Sequence, residues 1–200
     1  MLGSKDRDPA KIRAVGLTKW YDGLGDFNRV KLGRYLEYAD ASSADTFLVS
    51  VAAQAVKDHN YAFAATAARY AAEVLTDPIS LFDVNEQLVL ALFNLKQYDE
   101  CDAACEAGLA RLTDEAVMAH VKGKKGVLPE ALNCRNYKLN VAVGIHYDYD
   151  EGNRILDRFL EQGLIDAEEA ACRKQSIKIF RLQKTFDGIF ALKEKDEPAQ

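Results

Sequence analysis

Between Asp45 and Asp114 the chain is written twice. A shift of 37 residues places Tyr61 on Tyr98, Ala64 on Cys101 and Ala68 on Cys105, and carries Leu75-Thr76-Asp77 onto Leu112-Thr113-Asp114 without a gap. In each copy an apolar run with helical spacing is followed by a short polar turn, an aromatic residue and a second run rich in small side chains. Self-similarity at a fixed period of about 20–50 residues marks an array of supersecondary units that bury their apolar faces only by stacking. The pattern predicts helical hairpins and a protein that binds other proteins.

The same unit can be traced outward. Asp8-Pro9 opens a helix, with an N-cap residue before a proline in the first turn. Gly23 and Gly25 break it, and Phe27, 34 residues before Tyr61, opens a further, more diverged copy. Ser42-Ser43-Ala44-Asp45 is a polar helix start. Tyr61 to Leu75 carries Ala62, Ala64, Ala65, Ala67, Ala68, Ala71 and Ala72, a helix whose small faces let neighbouring backbones approach closely. Thr76-Asp77-Pro78 stops it, because proline disfavours helix in the residue before it. After Asp114 the regularity lapses into Lys122-Gly123-Lys124-Lys125-Gly126 and Leu128-Pro129, read as a solvated loop rather than a phosphate cradle, since no GxxxxGK[ST] spacing is present. It resumes near Cys134, and Tyr149-Asp150-Glu151-Gly152 mirrors Tyr98-Asp99-Glu100-Cys101 at a distance of 51 residues. Gly163 is a C-cap, and Asp166 followed by Glu169 starts a last, long helix. No strand-like alternation stands out.

These readings predict an all-α chain. An array over 1–166 contains hairpins at about 9–41, 45–76, 82–113 and 133–163, and a cap helix and tail occupy 167–200. The composition is that of a soluble domain with a sizeable core: 48% hydrophobic, 28% charged and a net charge of −5. Mild acidity argues against a nucleic-acid partner, which would call for a basic excess. No apolar run approaches the roughly 20 residues that span a bilayer, and the polar start MLGSKDRDPAKIR lacks the apolar centre of a signal peptide. The expected location is cytoplasmic. The four cysteines form no disulfide framework and lack the paired spacings of a metal site, so they read as structural thiols, with no metal and no cofactor expected.

The hairpin pattern resembles the tetratricopeptide repeat, a helix-turn-helix unit of about 34 residues that stacks into a right-handed superhelix. Bulky first-helix places read Leu17, Val51, Leu88 and Leu139. Opening aromatics read Phe27, Tyr61, Tyr98 and Tyr149, and the small places after them Val30, Ala64, Cys101 and Gly152. The family's closing proline survives only as Pro78. The resemblance covers most of residues 10–163, and the last helix resembles the cap such arrays carry. It implies an α-solenoid whose first helices line a concave face. That face would hold Val49, Ala53, Val56 and Lys57, then Asp83, Glu86, Leu90, Phe93 and Asn94, then Tyr137, Val141 and Ile145. The family's clamp for a terminal carboxylate uses Lys, Arg and Asn, whereas this chain offers Val49, Glu86 and Tyr137. The implied groove is apolar and suited to an extended or helical segment of another protein, as in an adaptor or chaperone.

The last helix offers a competing site. Arg173, Lys174, Lys178, Arg181, Lys184, Lys193 and Lys195 against Asp187 and Glu194 give 7 − 2 = +5 over residues 173–195, interleaved with Ile177, Ile179, Phe180, Leu182, Phe186, Ile189 and Phe190. A basic amphipathic helix of this kind caps the array, supports self-assembly into a homo-oligomer, or lies on an anionic membrane surface. For an enzyme the chain lacks a convergent constellation. His59 and His146 fall in turns and His120 near a loop, without a nucleophile or carboxylate pair at a diagnostic spacing, and no catalytic residue is assigned.

Overall fold

The structure is a computed structural model that describes residues 9–195, with side chains from residue 10 to residue 186. The N-cap expected at Asp8, and the side chains of Asp187, Ile189, Phe190, Lys193, Glu194 and Lys195, lie outside the described residues. Among the described residues every regular element is helical. The α-helices are α1 (Pro9–Ala14), α2 (Thr18–Gly23), α3 (Asp26–Tyr35), α4 (Ala44–Lys57), α5 (Tyr61–Val74), α6 (Pro78–Asn94), α7 (Tyr98–Arg111), α8 (Glu115–Lys122), α9 (Asn133–Asn140), α10 (Tyr149–Glu161) and α11 (Ala167–Lys195). A π-helical stretch, Val141–Ile145, prolongs α9. The chain divides into two compact units, Met1–Tyr137 and Lys138–Gln200.

In the first unit α5 lies against both α4 and α6, α4 also touches α6, and α6 pairs with α7. The alanines explain how one helix meets so many neighbours. Ala64, Ala65, Ala67, Ala68 and Ala71 are all buried on α5, and side chains this short let helix axes come close without giving up helix propensity. Bulk comes from the facing elements: Phe47, Leu48 and Val51 of α4, and Val84 and Leu92 of α6, are fully buried. Ser43 caps α4 with a reciprocal capping box, its hydroxyl accepting from the Thr46 amide while the Thr46 hydroxyl accepts from the Ser43 amide, both at 3.1 Å. Asp77 caps α6, accepting from the Ser80 amide at 2.7 Å with Pro78 in the first turn. The proline that stops one helix therefore starts the next, four residues earlier than Phe82, because its missing N–H falls where a helix has no acceptor for it.

The turns repeat more faithfully than the helices. His59, Lys96 and Tyr147 are the non-glycine residues with positive φ, at 56°, 60° and 55°, and each stands two residues before an opening tyrosine. At the first two turns the closing bonds are identical in pattern: Asn60 N–H to Ala55 O and Gln97 N–H to Leu92 O, then His59 N–H to Val56 O and Lys96 N–H to Phe93 O. This is the left-handed C-terminal cap that satisfies the last carbonyls of a helix. At the third turn Asp148 N–H reaches back to Ala142 O, one residue wider, because the π-helical stretch adds a residue.

The first hairpin differs from expectation. Residues 9–41 form three short helices rather than two long ones. Phe27 and Val30, read as the opening aromatic and small place, are 71% and 59% exposed. Leu32 and Tyr35, on the opposite arc of α3, are the residues that turn inward. The segment is fastened by aromatic contacts instead: Trp20 stacks on Tyr70 at 5.4 Å between ring centroids and Tyr35 on Phe63 at 5.6 Å, with Asn60 Nδ2 donating to the Tyr35 hydroxyl at 3.0 Å.

In the second unit α11 packs along α10. Gly152 makes this possible, since a Cβ there would come within 2.3 Å of Val143 Cγ2 and 3.2 Å of Ile177 Cδ1. Gly33, in the middle of α3, has open space around the same position. Gly152→Val is expected to destabilise the chain by about 1–3 kcal/mol through overpacking. Gly33→Ala should stabilise it by about 0.5–1 kcal/mol through lower unfolded-state entropy. Urea unfolding followed by circular dichroism measures both, and equal effects at the two glycines would refute the close-approach account.

Candidate functional site

α6 carries the expected binding row at helical spacing: Asp83, Glu86, Leu90, Phe93 and Asn94. The structure divides this row in two. Its N-terminal half is covered by the chain itself. Asp83 Oδ1 pairs with His120 Nε2 of α8 at 3.0 Å, and the Glu86 carboxylate accepts from the backbone amides of Asn133 and Cys134 at 2.6 and 2.8 Å. The Asn133 side-chain amide returns a bond to Glu86 O at 3.1 Å. Glu86 therefore caps the start of α9 across 47 residues of sequence, supplying negative charge where a helix has free N–H groups. It is buried, at 8% exposure, and belongs to the interior rather than to a binding surface. Val141 is likewise buried, within the second unit, and is no surface residue.

The C-terminal half of the row remains accessible. Leu90 and Phe93 are half-buried and Asn94 is exposed, its amide donating to Leu90 O at 2.8 Å. The Phe93 ring sits between two tyrosines: Tyr98 edge-on at 5.6 Å and Tyr137 tilted at 4.5 Å. Burial raises the Tyr137 phenol above its ordinary range, with Cys101 and Tyr61 contributing. On α4, Val49 and Val56 are half-buried against the core, Ala53 is half-buried and Lys57 is exposed. At the α4–α5 turn His59 Nδ1 and the Tyr61 hydroxyl share a hydrogen bond of 2.7 Å. The result is an amphipathic aromatic surface at the C-terminal ends of two first helices, with apolar ring faces and phenol groups able to bond a passing backbone.

Cys101 hydrogen-bonds with Cys105, which holds the Cys101 thiol below its ordinary range, and Cys172 is exposed. Cys101, Cys105 and Cys134 are buried. Cys105 is held far above the usual thiol range by its hydrogen bond with Cys101 and by burial, and Cys134 by burial and the adjacent Glu86 carboxylate. Cys105 and Cys134, kept protonated in this way, are poor nucleophiles. Among the described residues no cluster of three or more His, Cys, Asp or Glu side chains is placed to hold a metal ion. Among them, too, no helix is long and apolar enough to cross a membrane.

Four of the basic side chains described on α11 have partners within their own unit. Lys174 pairs with Asp157 at 2.5 Å, Arg181 with Asp150 at 3.6 Å and Arg173 with Glu169 at 2.6 Å. Lys184 lies over the Tyr147 ring at 5.1 Å. Lys174 and Arg181 thus tie α11 to α10.

Comparison of the chain with protein-family models, curated proteins and solved structures returned no match.

Burial holds the Glu86 carboxyl above the ordinary carboxylate range in spite of its amide donors, and Asp83 adds to the rise. The folded chain then binds the Glu86 proton at higher pH than the unfolded chain. The stability this group contributes is present at acid pH and lost as pH rises through the folded value. Glu86→Ala should cost about 2–3 kcal/mol by leaving two buried amides without an acceptor. The stability gap between wild type and Glu86→Gln should move in favour of wild type as pH falls through the raised Glu86 value towards the ordinary carboxylate range. Urea titrations at several pH values test both statements.

Proposed function

We propose that the chain is a tetratricopeptide-like interaction module, an adaptor or chaperone of the cytoplasm that holds a short segment of another protein. The segment lies on the surface formed by Leu90, Phe93, Asn94 and Tyr137, and extends towards Val49, Ala53, Val56 and Lys57. The observation that carries this reading is the recurrence of a left-handed residue two places before Tyr61, Tyr98 and Tyr149, with Ala64, Cys101 and Gly152 buried at equivalent places behind it. Units that share a turn and a small-residue register stack through the same contacts, and a superhelical arrangement of them presents its first helices along one face.

Phe93 is the anchor. Its ring is half-buried in contact with two tyrosines, so an incoming apolar side chain meets a surface already ordered, and little conformational freedom is lost on binding. Tyr98 and Tyr137 add hydroxyls that match the free carbonyls and amides of an extended segment. The surface left open by α8 and the start of α9 suits a short peptide better than a long helix.

An affinity capture from the source cell, with wild type beside Phe93→Ala, tests this directly. A partner retained by wild type and lost with Phe93→Ala, while helicity and unfolding midpoint hold, is the expected result. Loss of about 1–3 kcal/mol in binding fits truncation of one aromatic anchor. A partner held equally by both proteins would place the contact elsewhere.

A further inference from the structure

α11 has two apolar faces, and only one is used. Its inner arc, with Ala170 and Ile177 buried, packs within the second unit, and Phe180 stands by Tyr147 and Tyr149 at 6.3 and 6.2 Å between centroids. On the opposite arc Ile179, Leu182 and Phe186 are 47%, 50% and 57% exposed. With Cys172 and Gln175 they follow the alternating three- and four-residue spacing of a heptad seam, Cys172, Ile179 and Phe186 at one core position and Gln175 and Leu182 at the other.

We propose that this outer arc is a self-docking seam through which two copies of the chain pair, α11 beside α11 in the same direction. The distribution of charge selects the occupant. From Ala171 to Phe186 the sequence holds five basic residues and no acidic one. Two such helices meeting on any charged arc would set like charges against each other. The outer arc, with Cys172, Gln175, Ile179, Leu182, Gln183 and Phe186, is uncharged, so it is self-complementary under a two-fold axis. An acidic partner or an anionic membrane would need the basic groups, and Arg173, Lys174 and Arg181 already face Glu169, Asp157 and Asp150. A β-branched residue at one seam position with leucine at the next favours two parallel strands. The seam is short, well below the roughly 800 Å² per partner of a standard stable interface, so the pairing is weak and concentration-dependent.

The proposal does not rest on the peptide-binding reading. The experiment is analytical ultracentrifugation of the full chain over a concentration series up to about 300 μM, a range set by the small seam, with wild type, Leu182→Lys and Phe93→Ala. The expected result is a mass that doubles with concentration for wild type and Phe93→Ala but stays monomeric for Leu182→Lys, whose exposed site leaves helicity unchanged. Bismaleimide treatment should bridge Cys172 to its copy, since the other cysteines are buried. A wild-type chain that stays monomeric throughout, or a dimer that survives Leu182→Lys, overturns the seam. A Leu182-dependent dimer that Cys172 cannot bridge overturns the parallel pairing.

Discussion

Close approach of helix backbones is the constraint on which the rest of this structure depends. Wherever three helices meet, the middle one has surrendered its side chains. α5 does so with a run of buried alanines. α7 does so at Gly108, where a Cβ would fall within 2.8 Å of Cys134 Cβ and 2.6 Å of Asn85 Nδ2. α10 does so at Gly152 against Val143 and Ile177. In each case the missing volume is supplied from the neighbours, and close packing requires that the exchange be nearly exact in shape.

Close approach alone does not fix where α9 joins after the irregular stretch that follows α7. Two buried polar residues of α6 do. Asn85 Nδ2 donates to Ala104 O at 2.9 Å and so sets α6 against α7, while Glu86 receives the first amides of α9. An apolar contact can slide by a residue at modest cost. A buried carboxylate holding two amides cannot, because any shift leaves a charge and two donors without partners. Adjacent residues of one helix turn, Asn85 and Glu86, therefore specify the placement of α7 and of the start of α9 against α6.

Much of this was legible in the sequence, and the limits follow from range. The hairpins of α4 with α5 and α6 with α7 could be read because helical spacing and turn chemistry are local and were repeated. The long last helix and its Asp166 start could be read for the same reason, and Asp166 does accept from the Glu169 amide at 2.7 Å. The left-handed turn residues could not: His59, Lys96 and Tyr147 are not the glycines that advertise positive φ, and only their common distance from a tyrosine betrays them. Phe27 matched in spacing but not in phase, since an offset of 34 residues says nothing about which arc of a short helix turns inward. The tetratricopeptide resemblance puts Glu86 on a concave surface. Its partners lie 47 residues away, beyond a stretch with no pattern, and no local signal announces them.

The same distinction between local and distant partners governs the charge on α11. Read as a string, the helix is a basic amphipath. In the fold Lys174 and Arg181 answer Asp157 and Asp150 of α10, and Lys184 rests on the ring of Tyr147. Exposed pairs of this kind add little stability singly. They lie on the same side as the buried arc: rotating α11 by half a turn would expose Ala170 and Ile177 and leave these charges without their partners. The rotation is fixed chiefly by the buried inner arc, with Ala170 and Ile177 inside and Ile177 close upon Gly152, and these pairs agree with it.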